Sequence, residues 1–275
     1  MKKTEIHLAH GRLDSKTVLV TRVRAQAEDM TVLLEGLGAT VIHVPTIEFI
    51  PPCDLAPLDN AIRTLEHYDW IIFTSSNAVD FFTQRLRESR SGDVALLGTV
   101  SICAIGTATA RALEKAGIRA NVVAQESTSE GVLRELIEHI GGENIVRDLR
   151  ILIPRAKVAR DVLPSRLRDL GAHVDVVETY QTVLPQITPA SLKKLFEETR
   201  IDVITFTSSS TVSNLATLVG LTDLSDLLKN TLVACIGPVT AETARRFGLT
   251  NIVQPDVYNG PELVRVIATA IGEET

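Results

Sequence analysis

Cysteine is scarce in this chain. Cys53, Cys103 and Cys235 are odd in number and far apart, which argues against a disulfide framework or a zinc-ligand set and leaves three small apolar fillers of a reducing compartment. Basic charge is also in deficit, with 28 Lys and Arg against 34 Asp and Glu and a net charge of −6. A broad basic face for nucleic acid is therefore not expected, because phosphate neutralisation supplies most of that affinity. Any bound anion must be met locally. No run approaches the ~18 apolar residues of a membrane-spanning helix, and the opening residues Met1–His10 lack the apolar stretch of an export signal, so a short tail on a cytoplasmic protein is expected. Neither G-x-G-x-x-G nor G-x-x-x-x-G-K-[ST] occurs, which counts against dinucleotide and nucleoside triphosphate binding. G-x-S-x-G and H-E-x-x-H are missing too, so nucleophilic catalysis finds little support and His43, His67, His139 and His173 are read as exposed or packed residues, not metal ligands.

What the chain does have is a repeat. Asp69–Val79 reads Asp-Trp-Ile-Ile-Phe-Thr-Ser-Ser-Asn-Ala-Val, and 133 positions later Asp202–Val212 reads Asp-Val-Ile-Thr-Phe-Thr-Ser-Ser-Ser-Thr-Val, with seven of the eleven residues identical. In each copy a β-branched and aromatic run meets a Thr-Ser-Ser cluster, and apolar residues then recur at helical spacing, Val79, Phe82 and Leu86 or Val212, Leu215 and Val219. The pattern predicts strand, turn, helix. The same offset pairs Val18–Arg22 with Ile151–Arg155, each followed by a helical stripe and a Gly-Ala stop at Gly38 or Gly171. At an offset of 131, Ile102–Gly106 faces Val233–Gly237, and each is followed by a helix, a short strand and a last helix. Five strands alternating with helices favour a parallel sheet covered on both faces, present twice. Consecutive pairing would give domains near 1–145 and 146–275. A swap would let the first βαβ piece complete the sheet of the last third, with Thr46–Pro52 and Glu178–Pro185, both bordered by proline, as extended crossings.

In a sheet of order 2-1-3-4-5, ligands sit beyond the carboxyl ends of the strands where strands 1 and 3 diverge. Arg22 and Arg155 then end strand 1 of each half. Thr74, Ser75, Ser76 and Asn77, and Thr207 to Ser210, end strand 3, and the Gly106–Thr109 and Gly237–Thr240 turns end strand 4. Ser and Thr at such turns cap helices. The remaining first-turn N–H groups, at the positive end of the helix dipole, are a seat for an anion. Both readings stand for each cluster. Arg155, Lys157 and Arg160 form a basic knot at a helix start, either simply solvated or offset by an anionic partner. Tyr180 lies in the second crossing, where it either packs at a hinge or donates a proton to a leaving hydroxyl, since a free phenol keeps its proton to about pH 10.

With these residues in hand, the chain resembles the uroporphyrinogen-III synthase family. The resemblance rests on Val18-Leu-Val-Thr-Arg22 with its helix and Gly38-Ala39, on Phe73-Thr-Ser-Ser-Asn77, on Ile236-Gly-Pro-Val-Thr240 and on Glu178-Thr-Tyr180, and covers roughly residues 16 to 272. It implies two similar flavodoxin-like domains with parallel five-stranded sheets joined by two extended crossing segments, one built from residues 1–48 and 182–275, the other from 49–181. It also implies a cofactor-free lyase of porphyrin and haem biosynthesis that closes linear hydroxymethylbilane to uroporphyrinogen III with inversion of ring D and loss of water. Tyr180 matches the family's proposed catalytic tyrosine. Thr109 and Thr240 match threonines of the strand-4 turns, while Thr74, Ser75, Ser76, Asn77, Ser208, Ser209 and Ser210 fall in turns that bind substrate, with Arg22 and Arg155 beside them. Ser210 stands where the first copy has Asn77. The expected partner is this linear tetrapyrrole polycarboxylate, met by a monomer without nucleic acid or membrane. Micromolar binding needs about −8 kcal/mol, and a handful of charge-assisted hydrogen bonds at roughly 1.5–3 kcal/mol each supplies it after association costs. The remaining alternative is a two-lobed cytoplasmic sensor or carrier that binds a small polyanion without chemistry.

Overall fold

The computed structural model describes residues 13–89, 97–98 and 100–273, so the expected tail Met1–His10 lies outside the described residues. The chain divides into two compact units, one from the residues before Phe49 together with those from Val183 onward, the other from Phe49–Thr182. In the first unit the elements are β1 (Thr17–Val20), α1 (Arg24–Gly36) and β2 (Thr40–His43), and later α7 (Pro189–Glu198), β9 (Val203–Phe206), α8 (Ser209–Val219), β10 (Leu232–Cys235), α9 (Pro238–Arg246), β11 (Ile252–Val253) and α10 (Gly260–Glu273). The second holds α2 (Ala56–Arg63), β4 (Trp70–Phe73), α3 (Ser76–Ser89), β5 (Ser101–Ala104), α4 (Thr107–Lys115), β6 (Val122–Val123), α5 (Ser129–Ile140), β7 (Arg150–Ala156), α6 (Val162–Asp169) and β8 (His173–Val183). The short strand β3 (Glu48–Ile50) spans the boundary between them, and the last residue of β8, Val183, lies just beyond it.

The first sheet runs β11-β10-β9-β1-β2, every pair parallel. The second runs β3-β8-β7-β4-β5-β6, with the five strands from β8 to β6 joined in parallel. Taken in the order of the repeat, both are 2-1-3-4-5. The second sheet has six strands, not the expected five. β8 is 11 residues long, against four for β1, and its outer edge would otherwise be open; Glu48-Phe-Ile50 covers it.

Both faces of each sheet are buried, so the strands are apolar throughout yet still sort by alternation. In β4, Ile71 and Phe73 enter one core cluster with Phe82 and Leu86, while Trp70 and Ile72 enter another with Val132 and Leu167. In β1, Leu19 packs with Phe206 and Val212, and Val18 and Val20 pack with Leu34 and Ile267. Asp69 and Asp202 do the same work in the two units: Asp69 Oδ2 accepts from the Arg150 N–H at 2.8 Å and Asp202 Oδ2 from the Thr17 N–H at 2.9 Å, tying strand 3 to the start of strand 1.

Candidate functional site

The carboxyl end of each sheet carries the polar turns. At the strand-3 turns, the Ser75 hydroxyl accepts from the Ala78 N–H at 3.1 Å and the Ser208 hydroxyl from the Thr211 N–H at 3.4 Å. These two serines are helix caps, as the blander reading had it. Ser208 also meets Ser210 at 2.9 Å, and Ser209 donates to the Val239 carbonyl at 3.2 Å, which draws the head of α8 toward that of α9. Thr74, Ser76 and Asn77 are partly buried around the head of α3.

The strand-4 turns differ. α4 begins after Gly106 and α9 after Gly237, and neither has a side-chain cap. Their leading N–H groups are left to solvent or ligand, and the helix dipole adds positive potential there. Thr109 and Thr240 sit in these first turns, only 3% and 4% exposed. Neither hydroxyl has a hydrogen-bond partner among the described residues. The same arrangement thus occurs in both units.

Tyr180 is brought to the rim of the second unit by a β-bulge. Along β7 and β8, Arg155 pairs with Glu178 but Ala156 pairs with Tyr180, so Thr179 is one residue too many. Strict alternation would put residue 180 on the face opposite Val177. The bulge returns it to the Val177 side, in the cluster with Phe73 and Phe82. There the ring lies edge-on to Phe49 (centroids 5.5 Å apart) and nearly parallel to Phe81 (5.6 Å), and is 7% exposed. Its hydroxyl is 3.2 Å from the Ser75 hydroxyl, and either group can be the donor. The tyrosine is thereby both a packed residue and a proton-bearing group coupled to the cap of α3.

Arg155 ends β7 beside a hollow of about 420 Å³ where strands 1 and 3 diverge, with Thr74, Ile105, Thr128 and Ile153 in its wall. The guanidinium is already engaged, donating to Asp161 Oδ1 and, at 3.0 Å, to the Arg160 carbonyl. Much of the charge that the sequence left for a ligand is met by Asp161. Arg22 is exposed at the end of β1 and donates to Gln26 at 3.3 Å.

Among the described residues no group of three or more His, Cys, Asp or Glu is arranged to hold a metal ion. Burial pushes the Cys103 and Cys235 thiols up to about 12, leaving them as inert core residues, while Cys53 is exposed. His139 packs edge-on to Trp70, and His43 shares a hydrogen bond with Thr31 at 3.3 Å.

Sequence reasoning did not single out the residues that lie against the two strand-4 glycines. A Cβ on Gly106 would come within 2.3 Å of the Ser127 hydroxyl, and one on Gly237 within 3.3 Å of the Tyr258 ring. The glycines permit this close approach; neither has an unusual φ. Ser127 and Tyr258 are separated by the repeat offset of 131, each just ahead of a cap residue. That offset was the signal that could have found them. Phe49 and Phe81 were also missed as partners of Tyr180.

Comparison with known proteins bears on these rims. A family model described as uroporphyrinogen-III synthase HemD matches residues 28–265. A putative uroporphyrinogen-III synthase of Methanothermobacter thermautotrophicus is 32% identical over 93% of this chain and 98% of its own length. The uroporphyrinogen-III synthase of Synechococcus elongatus is 31% identical over 86% of this chain and 89% of its own. Among solved structures, uroporphyrinogen-III synthetase from Helicobacter pylori superposes with a TM-score of 0.58 at 16% identity, covering 93% of this chain and 99% of that one, a likeness of fold.

Proposed function

Because the chain belongs to the uroporphyrinogen-III synthase family, we propose that it is a lyase of tetrapyrrole biosynthesis that cyclises hydroxymethylbilane to uroporphyrinogen III, with inversion of ring D and loss of water. The observation that carries the reading beyond family membership is the duplicated seat: α4 and α9 each open on a glycine without a side-chain cap and hold in the first turn a largely buried threonine, Thr109 or Thr240, whose hydroxyl has no hydrogen-bond partner among the described residues and is not sealed from solvent. Such a seat takes a carboxylate on backbone N–H groups and a hydroxyl without needing a lysine or arginine. An acidic protein, net −6, can hold a polycarboxylate in this way.

In this reading the seats at Thr109 and Thr240, the turns Thr74–Asn77 and Ser208–Ser210, and the flanking Arg22 and Arg155 are each suited to take an acetate or propionate group of the substrate. Tyr180 supplies the proton. As the C–O bond of the hydroxymethyl group breaks, the phenol protonates the departing oxygen, which leaves as water, and the pyrrole nitrogen lone pair stabilises the carbon left behind. The Ser75 hydroxyl, 3.2 Å away, donates to the phenolate that results. The proton released when the ring closes restores the phenol. Much of the remaining work is conformational, holding the chain so that ring D attacks in the inverted sense.

We also propose that the protein acts as a monomer in the cytoplasm without a nucleic-acid partner; the charge deficit supports the last point, and no described helix is long and apolar enough to cross a membrane. The test is to incubate the purified protein with enzymatically made hydroxymethylbilane and separate the uroporphyrin isomers after oxidation. Type III product is expected. Type I alone, with the substrate closing as it does unaided, would overturn the activity and return the chain to the class of polyanion sensors.

A further inference from the structure

The two halves of the chain act as controls for each other, and at one place on the rim they disagree in a way the fold does not require. In the second unit the residues leading into α5 are Glu126, Ser127 and the cap Thr128, whose hydroxyl accepts from the Gly131 N–H at 3.0 Å. In the first unit the equivalents leading into α10 are Val257, Tyr258 and the cap Asn259, whose side-chain oxygen accepts from the Glu262 N–H at 2.9 Å. The cap is kept in both. The residues before it change from polar to apolar.

That change leaves large apolar side chains in water. Tyr258 is 62% exposed, Val257 58% and Val239 73%. Val239 lies in the first turn of α9, two residues beyond the Gly237 against which the Tyr258 ring rests. Its equivalent in the other unit is Ala108. Single exposed apolar residues need no explanation, but a cluster on a polar rim marks a contact surface. Two further features define what it contacts. The tyrosine ring lies with one face against Gly237, so its flat surface is held in place at small entropic cost. The uncapped head of α9 is adjacent. An occupant that suits both is a flat aromatic ring bearing a carboxylate on a short arm.

Resting on the synthase reading above, we propose that Tyr258, with Val239 and Val257, forms a ledge that carries the face of one pyrrole ring of the linear substrate while that ring's acid side chain reaches the head of α9. Tyr258 is a positioning residue in this role. The bond-breaking proton comes from Tyr180, and the ledge lowers the freedom of the ring during closure.

The experiment compares wild type with Tyr258→Ser, which installs the residue of the other half, and with Tyr258→Phe, which keeps the ring. At an exposed position both variants should fold, checked by unchanged melting. Loss of one ring-stacking contact should raise KM for hydroxymethylbilane about tenfold in Tyr258→Ser, with kcat little altered and a larger share of type I product at low enzyme concentration. Tyr258→Phe should behave as wild type. An unchanged KM in Tyr258→Ser would overturn the ledge, and so would a Phe variant as impaired as the Ser variant, because the hydroxyl would then be the active part. Wild type yielding only type I isomer would instead overturn the synthase reading itself, so the two failures are distinguishable.

Discussion

Tyr180 carries two duties that one substitution separates. Phe49 and Phe81 contact the ring, and among the described residues the hydroxyl meets Ser75. Tyr180→Phe keeps the first set and removes the second. Turnover to uroporphyrinogen III is expected to fall by about 10²-fold, within the range for losing a general acid, while stability changes by no more than about 1 kcal/mol because one partly buried hydrogen bond is lost. Initial rates and a urea melt check the two halves of the prediction, and unchanged turnover would remove the proton-donor role. A second residue-scale effect concerns acid. His43 has a pKa lowered mainly by burial, further by Arg24 and opposed by Glu35, and its Nδ1 is buried without a partner among the described residues. The unfolded chain therefore takes up this proton first as pH falls below the ordinary histidine value of about 6.5. Its contribution to folding is fully present above that pH and is lost as pH falls toward the lowered folded-state value. His43→Gln should flatten the acid-side decline of stability below about pH 6.5, measured as urea midpoints across the range; an unaltered decline would show that other groups cause it.

At the scale of elements, α5 shows how a helix can require glycine in its first turn. A Cβ on Gly131 would lie 2.3 Å from the Glu126 carbonyl, a backbone atom that cannot swing away. In an open helix Gly to Ala stabilises by about 1 kcal/mol. Here the clash forces the 126–128 loop outward, and Gly131→Ala should destabilise by roughly 1–3 kcal/mol, as overpacking does. A thermal melt of the variant decides the sign. This loop is also where reading from sequence thins out. The strands and most helices were legible because their apolar spacing recurs at fixed offsets, from Val18–Arg22 and Ile151–Arg155 to the paired last helices. α2 and α7 were not, because they share no stripe: α2 buries Leu58, Ala61 and Ile62, and α7 buries only Leu192. β3 is three residues long, too short to show a period. The candidate rim was legible as a set of turns, but the sequence could not tell caps from free seats. Ser75 and Ser208 proved to be caps, whereas the uncapped helix heads lie behind Gly106 and Gly237. Nor could alternation reveal which way Tyr180 faces, because a single extra residue in β8 reverses it.

For the molecule as a whole, the second unit is an uninterrupted piece of chain and the first is not. β3 and β8, the strands by which the chain passes into and out of the second unit, are hydrogen-bonded neighbours, and Gln181 donates to the Pro51 carbonyl at 3.2 Å. The unit therefore begins and ends at one place, the condition under which an inserted domain folds by itself. Its two core clusters, around Phe73 and Phe82 on one sheet face and Trp70 and Val132 on the other, are made from its own residues. Residues 49–182 expressed alone should give a single cooperative urea transition, and the outer unit should fold once a short Gly-Ser linker replaces them. Each fragment keeps one uncapped strand-4 helix, so each should still bind a porphyrin carboxylate weakly. If inversion of ring D needs both sets of seats, neither fragment alone should convert hydroxymethylbilane to the type III isomer. A fragment 49–182 that produced type III by itself would place the whole reaction on Tyr180 and the Thr109 turn, and would leave the duplicated seat at Thr240 without a part in it.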